Sequence, residues 1–119
     1  MNETKELVQK IIEGIQEKKG KDIVVADLSG IDDTICNYFV IGQGNSPSQV
    51  LAIVDSVREY VRNTTGQKAY GIDGVRNAQW VALDYGDVIV HIFLPDERHF
   101  YNLAHLWADA KLTEVPDID

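Results

Sequence analysis

The chain has 119 residues, of which 45% are hydrophobic and 25% are charged, a composition typical of a globular domain. This length predicts one domain, which we place at residues 1–110, followed by an acidic tail at residues 111–119. The 19 acidic and 11 basic residues give a net charge of −8. Because Lys and Arg provide most of the affinity of proteins for nucleic acids, we expect little direct nucleic-acid contact.

We also expect no membrane span, because no apolar run approaches about 20 residues. The N-terminus lacks an export signal, and these features together predict a cytoplasmic protein.

The first half of the chain predicts two helices and two strands. Residues 3 to about 19 have apolar side chains at helical spacing, and Gly20 suits the end of that helix. Two runs, Ile23–Leu28 and Tyr38–Ile41, predict strands, and the second is apolar enough to be buried on both faces. A capping-box pattern at Ser46–Gln49 then begins a helix that ends at Gly66.

The second half predicts three strands and a last helix. A short strand is expected near Ala69 and Tyr70, and longer strands at Trp80–Asp84 and Val88–Leu94. The last helix begins after Pro95, and its apolar residues are Phe100, Leu103, Leu106 and Trp107. The acidic segment from Asp109 onward is expected to be loose. The order of elements predicts an α+β fold with one mixed sheet of about five strands and flanking helices.

The segment from Trp80 to His91 is the most informative one for function. A two-residue turn at Tyr85-Gly86 predicts a tight hairpin that pairs Asp84 with Asp87, Ala82 with Ile89 and Trp80 with His91. Alternation places on one face the aliphatic residues Val81, Leu83, Val88, Val90 and Ile92. The other face carries Trp80, Ala82, Asp84, Asp87, Ile89 and His91. Two carboxylates beside an aromatic residue and a histidine suit contact with a basic partner. The pattern alone favours a second interpretation, in which helices cover this face too and Trp80 belongs to the core.

Other chemical sites receive weaker support from the sequence. The Gly42–Ser46 turn between a strand and a helix invites a nucleotide-binding hypothesis, but a tight turn that leads into a capped helix explains it better. No metal site is predicted, because His99 and His105 are six positions apart and do not share a helical face. Cys36 has no local partner that would activate it, and we predict no catalytic residues and no cofactor.

Several segments resemble the ribosomal silencing factor family, also called Iojap-like proteins. The most specific ones are Trp80, the run Asp84–His91, and Arg98–Leu103 leading into Leu106-Trp107. Earlier segments match in the same order: Asp22–Val25 with Asp27, Tyr38–Ile41, and Gly44 with Ser46 and Gln49. The resemblance extends from about Leu7 to Ala110, which is nearly the whole chain.

The resemblance implies a role without catalysis. Members bind the large ribosomal subunit through its fourteenth L-type protein, prevent the small subunit from joining, and lower translation when nutrients are scarce. They have a mixed sheet with flanking helices, similar to nucleotidyltransferases, and they can form homodimers. The resemblance therefore implies a partner-binding surface, which we assign to Asp73, Trp80, Asp84, Tyr85, Asp87 and His91. Two alternatives stay open, a nucleotide-binding or nucleotidyltransferase-like enzyme and a homodimeric interaction module.

Overall fold

The computed structural model describes residues 3–28, 37–95 and 111–116. The elements in chain order are α1 (Glu3–Glu17), β1 (Lys21–Asp27), β2 (Tyr38–Gln43), α2 (Pro47–Thr65), β3 (Gly71–Asp73), β4 (Trp80–Asp84), β5 (Val88–Phe93) and β6 (Lys111–Val115). The predicted helix after Pro95 falls outside the described residues. So do Cys36, His99 and His105.

The strands of the described residues form one mixed sheet in the order β3-β4-β5-β2-β1-β6. Strands β2 and β5 are parallel, and every other neighbouring pair is antiparallel. The predicted α+β fold with a single mixed sheet is confirmed. The sheet has six strands rather than about five, because Lys111–Val115 pairs with β1. The prediction that this part of the acidic tail is loose was therefore wrong.

Both helices pack on the same face of the sheet. The apolar stripe of α1, with Leu7, Ile11 and Ile15, meets α2 and the sheet in the main hydrophobic core. The two helices approach closely at Gly14, where a Cβ would lie 2.9 Å from the Cα of Val57. Glycine inside α1 therefore has a packing role that offsets its low helix propensity.

Helix α2 has the ends that its sequence predicts. The hydroxyl of Ser46 accepts a hydrogen bond from the N–H of Gln49 at 3.1 Å. At the other end Gly66 has a φ of 78°, in the left-handed region that glycine adopts without strain, and its N–H donates to the carbonyl of Arg62. Between them, Val50, Ile53, Val54, Val57 and Val61 are buried.

The short strand predicted near Ala69-Tyr70 lies slightly later, at Gly71–Asp73. Strand β2 is buried from Phe39 to Gly42, as its apolar sequence predicts. A second, smaller core lies on the face of the sheet opposite the two helices. Its buried members are Ala26, Leu28, Phe39, Ile41 and Phe93, and Trp80 and Ile89 pack against them. The arrangement places the end of β5 and the start of β4 at this second core.

Candidate partner-binding face

The turn between β4 and β5 comes one residue later than the sequence analysis predicted. The N–H of Tyr85 donates to the carbonyl of Val88 at 2.9 Å, so Gly86 and Asp87 are the two turn residues. Gly86 has a φ of 86°, and a two-residue turn that begins with glycine matches the twist of the flanking strands. The carboxylate of Asp84 stabilises this turn, since its Oδ1 accepts a hydrogen bond from the N–H of Gly86 at 2.7 Å.

The later turn changes the cross-strand pairs. The pairs predicted from the sequence, Asp84 with Asp87, Ala82 with Ile89 and Trp80 with His91, are wrong. The observed pairs are Trp80 with Phe93, Ala82 with His91 and Asp84 with Ile89. Asp84 and Asp87 therefore do not oppose each other, and the repulsion expected from that pairing does not arise.

The predicted division of side chains between two faces is confirmed for the strand residues, because each partner moved by two residues and alternation has a period of two. It was wrong for Asp87, which lies in the turn and contacts Thr4 of α1. The aliphatic residues Val81, Leu83, Val88, Val90 and Ile92 are all fully buried beneath the helices. We call the opposite face of β3, β4 and β5 the Trp80 face. Its members are Asp73, Trp80, Ala82, Asp84, Ile89, His91 and Phe93.

Aromatic rings form the centre of the Trp80 face. The partly exposed Trp80 stacks on Phe93, with ring centroids 5.1 Å apart and planes at 23°. Phe93 is only 1% exposed, so its ring is held in place and supports the indole. Phe39 from β2 contacts His91 edge to face, with centroids 4.8 Å apart and planes at 81°. Offset stacks and edge-to-face pairs of this kind add to the energy of burial alone.

His91 is hydrogen-bonded to the tryptophan. The indole Nε1–H of Trp80 donates to Nδ1 of His91 at 3.0 Å. Because the indole nitrogen only donates, the neutral imidazole must carry its proton on Nε2. That Nε2 is buried and has no hydrogen-bond partner among the described residues. Burial lowers the pKa of His91 to about 4, so the ring is neutral at pH 7.

Two exposed carboxylates border these rings. Asp73 lies opposite Ala82 on the neighbouring strand, and Asp84 lies two residues beyond Ala82 on the same strand, so both share the face of Trp80. The structure shows no ion pair for either carboxylate within residues 3–28, 37–95 and 111–116. Within these residues, the face thus combines a partly exposed indole with two carboxylates that form no ion pair.

A family profile described as "Ribosomal silencing factor during starvation" matches residues 1–119. The chain belongs to the ribosomal silencing factor family. Its sequence is 37% identical over 113 residues to the ribosomal silencing factor of Halalkalibacterium halodurans, covering 95% of each chain. It is 39% identical over 99 residues to that of Bacillus subtilis, covering 83% of this chain and 82% of the relative.

A solved structure supports the same assignment. The fold is similar to the crystal structure of a protein from Chromobacterium violaceum, with a TM-score of 0.83 and 31% sequence identity. The match covers 97% of this chain and 94% of that chain. The resemblance inferred from the sequence is therefore confirmed at the level of the ribosomal silencing factor family and its fold.

Tyr85 does not lie on the Trp80 face of the protein. It is 4% exposed and belongs to the core beneath the helices, because alternation places it on the same side as Leu83. Within the part of the chain that the structure describes, its buried hydroxyl has no hydrogen-bond partner. Burial raises the pKa of Tyr85 to about 12. The structure thus separates Tyr85 from the other residues predicted for the partner-binding surface.

Asp87 also has a different environment from the one predicted. Its carboxylate Oδ2 accepts a hydrogen bond from the hydroxyl of Thr4 in the first turn of α1, at 3.2 Å. Its backbone carbonyl accepts the N–H groups of Asn37 and Tyr38, where β2 begins. Asp87 therefore joins the hairpin turn to α1 and β2, on the side of the sheet that the helices cover.

The Gly42–Ser46 turn has a structural explanation in the ribosomal silencing factor fold. The N–H of Gly44 donates to the carbonyl of Phe93 at 2.9 Å, and a Cβ on Gly44 would lie 3.1 Å from Val50. The side chain of Gln49 accepts the N–H of Asn45 at 2.7 Å. These contacts account for the glycine and the capping residues without a bound nucleotide.

The sequence analysis missed Phe93 and Phe39 as members of the aromatic cluster. Extending the alternation of β5 by two residues from His91 would have placed Phe93 on the Trp80 face. Phe39 comes from the parallel neighbour β2, and its proximity depends on a register that no local pattern reveals.

Within the described parts of this ribosomal silencing factor, no group of three metal-ligating side chains occurs. No described helix is both long and apolar enough to cross a membrane.

Proposed function

We propose that the protein binds the large ribosomal subunit through its fourteenth L-type protein and thereby blocks joining of the small subunit. It acts in the cytoplasm by steric occlusion, without catalysis or a cofactor, and lowers translation when nutrients are scarce. Membership of the ribosomal silencing factor family supports the ribosome as the target.

The Trp80 face is the observation that carries the proposal for this chain. Protein interfaces commonly depend on an aromatic anchor with charged residues at the rim. Trp80 provides a partly exposed ring held on Phe93, and Asp73 and Asp84 provide exposed carboxylates on the same face. Ribosomal proteins are rich in Lys and Arg, so the chain's net charge of −8 favours the encounter.

Co-sedimentation with purified large subunits tests the proposal. The protein should migrate with large subunits, and Trp80→Ala should shift it toward the top of the gradient. Tyr70→Ala is the matched control, since Tyr70 is an 82% exposed aromatic residue that lines a groove beside Thr4 and Thr65. Equal loss of binding in both variants would contradict the assignment of the Trp80 face.

The enzyme alternative has a separate test. Isothermal titration calorimetry with nucleoside triphosphates and magnesium should give no binding heat at millimolar ligand. Saturable heat that disappears in Ser46→Ala would instead support a nucleotide site at the Gly42–Ser46 turn.

The homodimer stays a prediction from the resemblance. Light scattering at two protein concentrations tests it, and a repeat with Trp80→Ala shows whether self-association uses the Trp80 face. A dimer that Trp80→Ala dissociates would compete with ribosome binding for the same surface.

A further inference from the structure

We propose that His91 is a positioning residue that holds Trp80 in its partner-binding orientation and makes the surface offered by Trp80 an apolar one. The inference rests on the proposed function of the Trp80 face. It names the chemistry that a partner must supply there, which is an apolar contact bordered by basic groups.

The register of the hairpin creates the contact between the two residues. Trp80 lies opposite Phe93, and His91 lies opposite Ala82, so Trp80 and His91 are diagonal neighbours on one face. Diagonal neighbours are close enough for aromatic side chains to touch. The Nε1–H to Nδ1 hydrogen bond of 3.0 Å bridges this diagonal.

Stacking alone does not fix the direction in which an indole points. Trp80 could lie flat on Phe93 with its N–H edge turned inward or outward, because turning the ring over preserves the stack. The hydrogen bond to His91 selects the inward direction, since His91 is only 7% exposed. The single polar group of Trp80 is thereby satisfied within the protein.

This orientation decides what a partner can contact. A partner that covers Trp80 receives no hydrogen bond from the indole N–H and meets hydrocarbon instead. Among the described residues of β3, β4 and β5, the charges on this face are the carboxylates of Asp73 and Asp84. The complementary surface is therefore an apolar patch with Lys or Arg at its edge.

The state of the imidazole suits this role. Only the neutral ring can accept at Nδ1, and the buried position of His91 keeps it neutral at pH 7. Phe39 packs edge-on against the ring at 4.8 Å and restricts its rotation. His91 thus presents a fixed acceptor to Trp80.

Two variants of His91 separate positioning from mere packing. His91→Leu fills the site but removes the acceptor, whereas His91→Asn retains an oxygen near the position of Nδ1. Binding to large subunits should weaken about fivefold to tenfold in His91→Leu and recover most of that loss in His91→Asn. Urea unfolding of each variant checks that the fold is retained.

The orientation itself is measured by the indole N–H resonance of Trp80, assigned with Trp107→Phe because the chain has two tryptophans. The resonance should exchange slowly with solvent in the wild type and in His91→Asn, and quickly in His91→Leu. A slow resonance in His91→Leu, or unchanged binding despite a fast one, would overturn the proposal.

A double-mutant cycle covers the case in which His91→Leu alone is too unstable to use. Trp80→Phe keeps a ring but lacks the N–H, and His91→Phe keeps a ring but lacks the acceptor. His91→Phe should therefore weaken binding in the wild-type background and have little effect in the Trp80→Phe background, and equal effects in both backgrounds would overturn the proposal. If the wild type itself fails to bind large subunits, the proposed function fails. The resonance measurement still decides whether His91 orients Trp80.

Discussion

The carboxylate of Asp87 accepts a hydrogen bond from Thr4 at 3.2 Å and so joins the β4–β5 turn to the first turn of α1. A negative charge beside the N-terminus of a helix is stabilising, because the helix dipole is positive there. This contact gives Asp87 a structural role on the helix-covered side of the sheet.

Asp87→Ala should therefore lower the free energy of unfolding by about 0.5–1 kcal/mol. Urea denaturation measures this change, and Asp55→Ala, an exposed acidic residue on α2, is the control. Binding to large subunits should be the same as in the wild type. If Asp87→Ala keeps its stability but loses binding, the structural role is contradicted and Asp87 belongs to the partner-binding surface.

Trp80→Ala should weaken binding to the large subunit by about 2 kcal/mol, or roughly 30-fold. The loss follows from removal of the ring that stacks on Phe93 at the centre of the Trp80 face. Titration of labelled protein with large subunits measures the affinity, and the unfolding transition should stay cooperative. Collapse of the fold in Trp80→Ala would support the alternative that Trp80 is a core residue.

Asp73→Asn combined with Asp84→Asn should slow association with large subunits about fivefold at low salt. Asparagine keeps an oxygen for the N–H of Gly86, so the turn is preserved while the charge is lost. Stopped-flow association should show this difference shrinking as salt rises, because surface charges are screened. The control variant Asp55→Asn/Glu59→Gln removes two charges from α2 and should reduce the rate of association with large subunits less.

His91 should make the protein less stable in mild acid. Its pKa is lowered from 6.5 to about 4 in the folded state, so below pH 6.5 the unfolded chain binds a proton that the folded chain does not. The contribution of neutral His91 to the free energy of unfolding is fully present above pH 6.5. It falls as the pH drops toward 4, by a total on the order of 3 kcal/mol. Urea unfolding between pH 7 and pH 4 should show a shallower decline in His91→Asn. Identical pH dependence in both proteins would contradict the buried neutral imidazole.

Tyr85→Phe should leave stability unchanged or raise it by up to about 1 kcal/mol, because it removes a buried hydroxyl to which the described residues offer no hydrogen-bond partner. It should also leave binding to large subunits unchanged, since Tyr85 lies in the core beneath the helices. Thermal unfolding and co-sedimentation check the two expectations. Weakened binding at unchanged stability would show that Tyr85 reaches the partner after all.

Local signals explain which parts of the fold could be predicted from the sequence. Helix α2 was predicted because Ser46, Pro47 and Gly66 act on their own neighbours. The hairpin register could not be predicted, since turns at Tyr85-Gly86 and Gly86-Asp87 both preserve the alternation of side chains. Strand β6 was missed because it mixes polar and apolar residues and pairs with β1, a partner far away in the sequence.

The candidate site was predictable to a similar degree. Residue types raised Trp80 and the nearby carboxylates as a candidate contact surface for a basic partner, but the pattern alone favoured a core position for Trp80, and the family resemblance led to the assignment as a contact surface. The separation of Tyr85 and Asp87 from that surface depends on the exact turn and on the position of α1, both of which are tertiary features. The hydrogen bond between Trp80 and His91 depends on the same register.

The rate of subunit joining tests the central claim most directly. Small subunits are mixed with large subunits under joining conditions, and light scattering follows the formation of joined ribosomes at increasing protein concentration. The account predicts that the wild type suppresses joining in proportion to its occupancy of large subunits, that Tyr70→Ala does the same, and that Trp80→Ala requires roughly 30-fold more protein. Normal joining at protein concentrations that saturate the large subunit would contradict it.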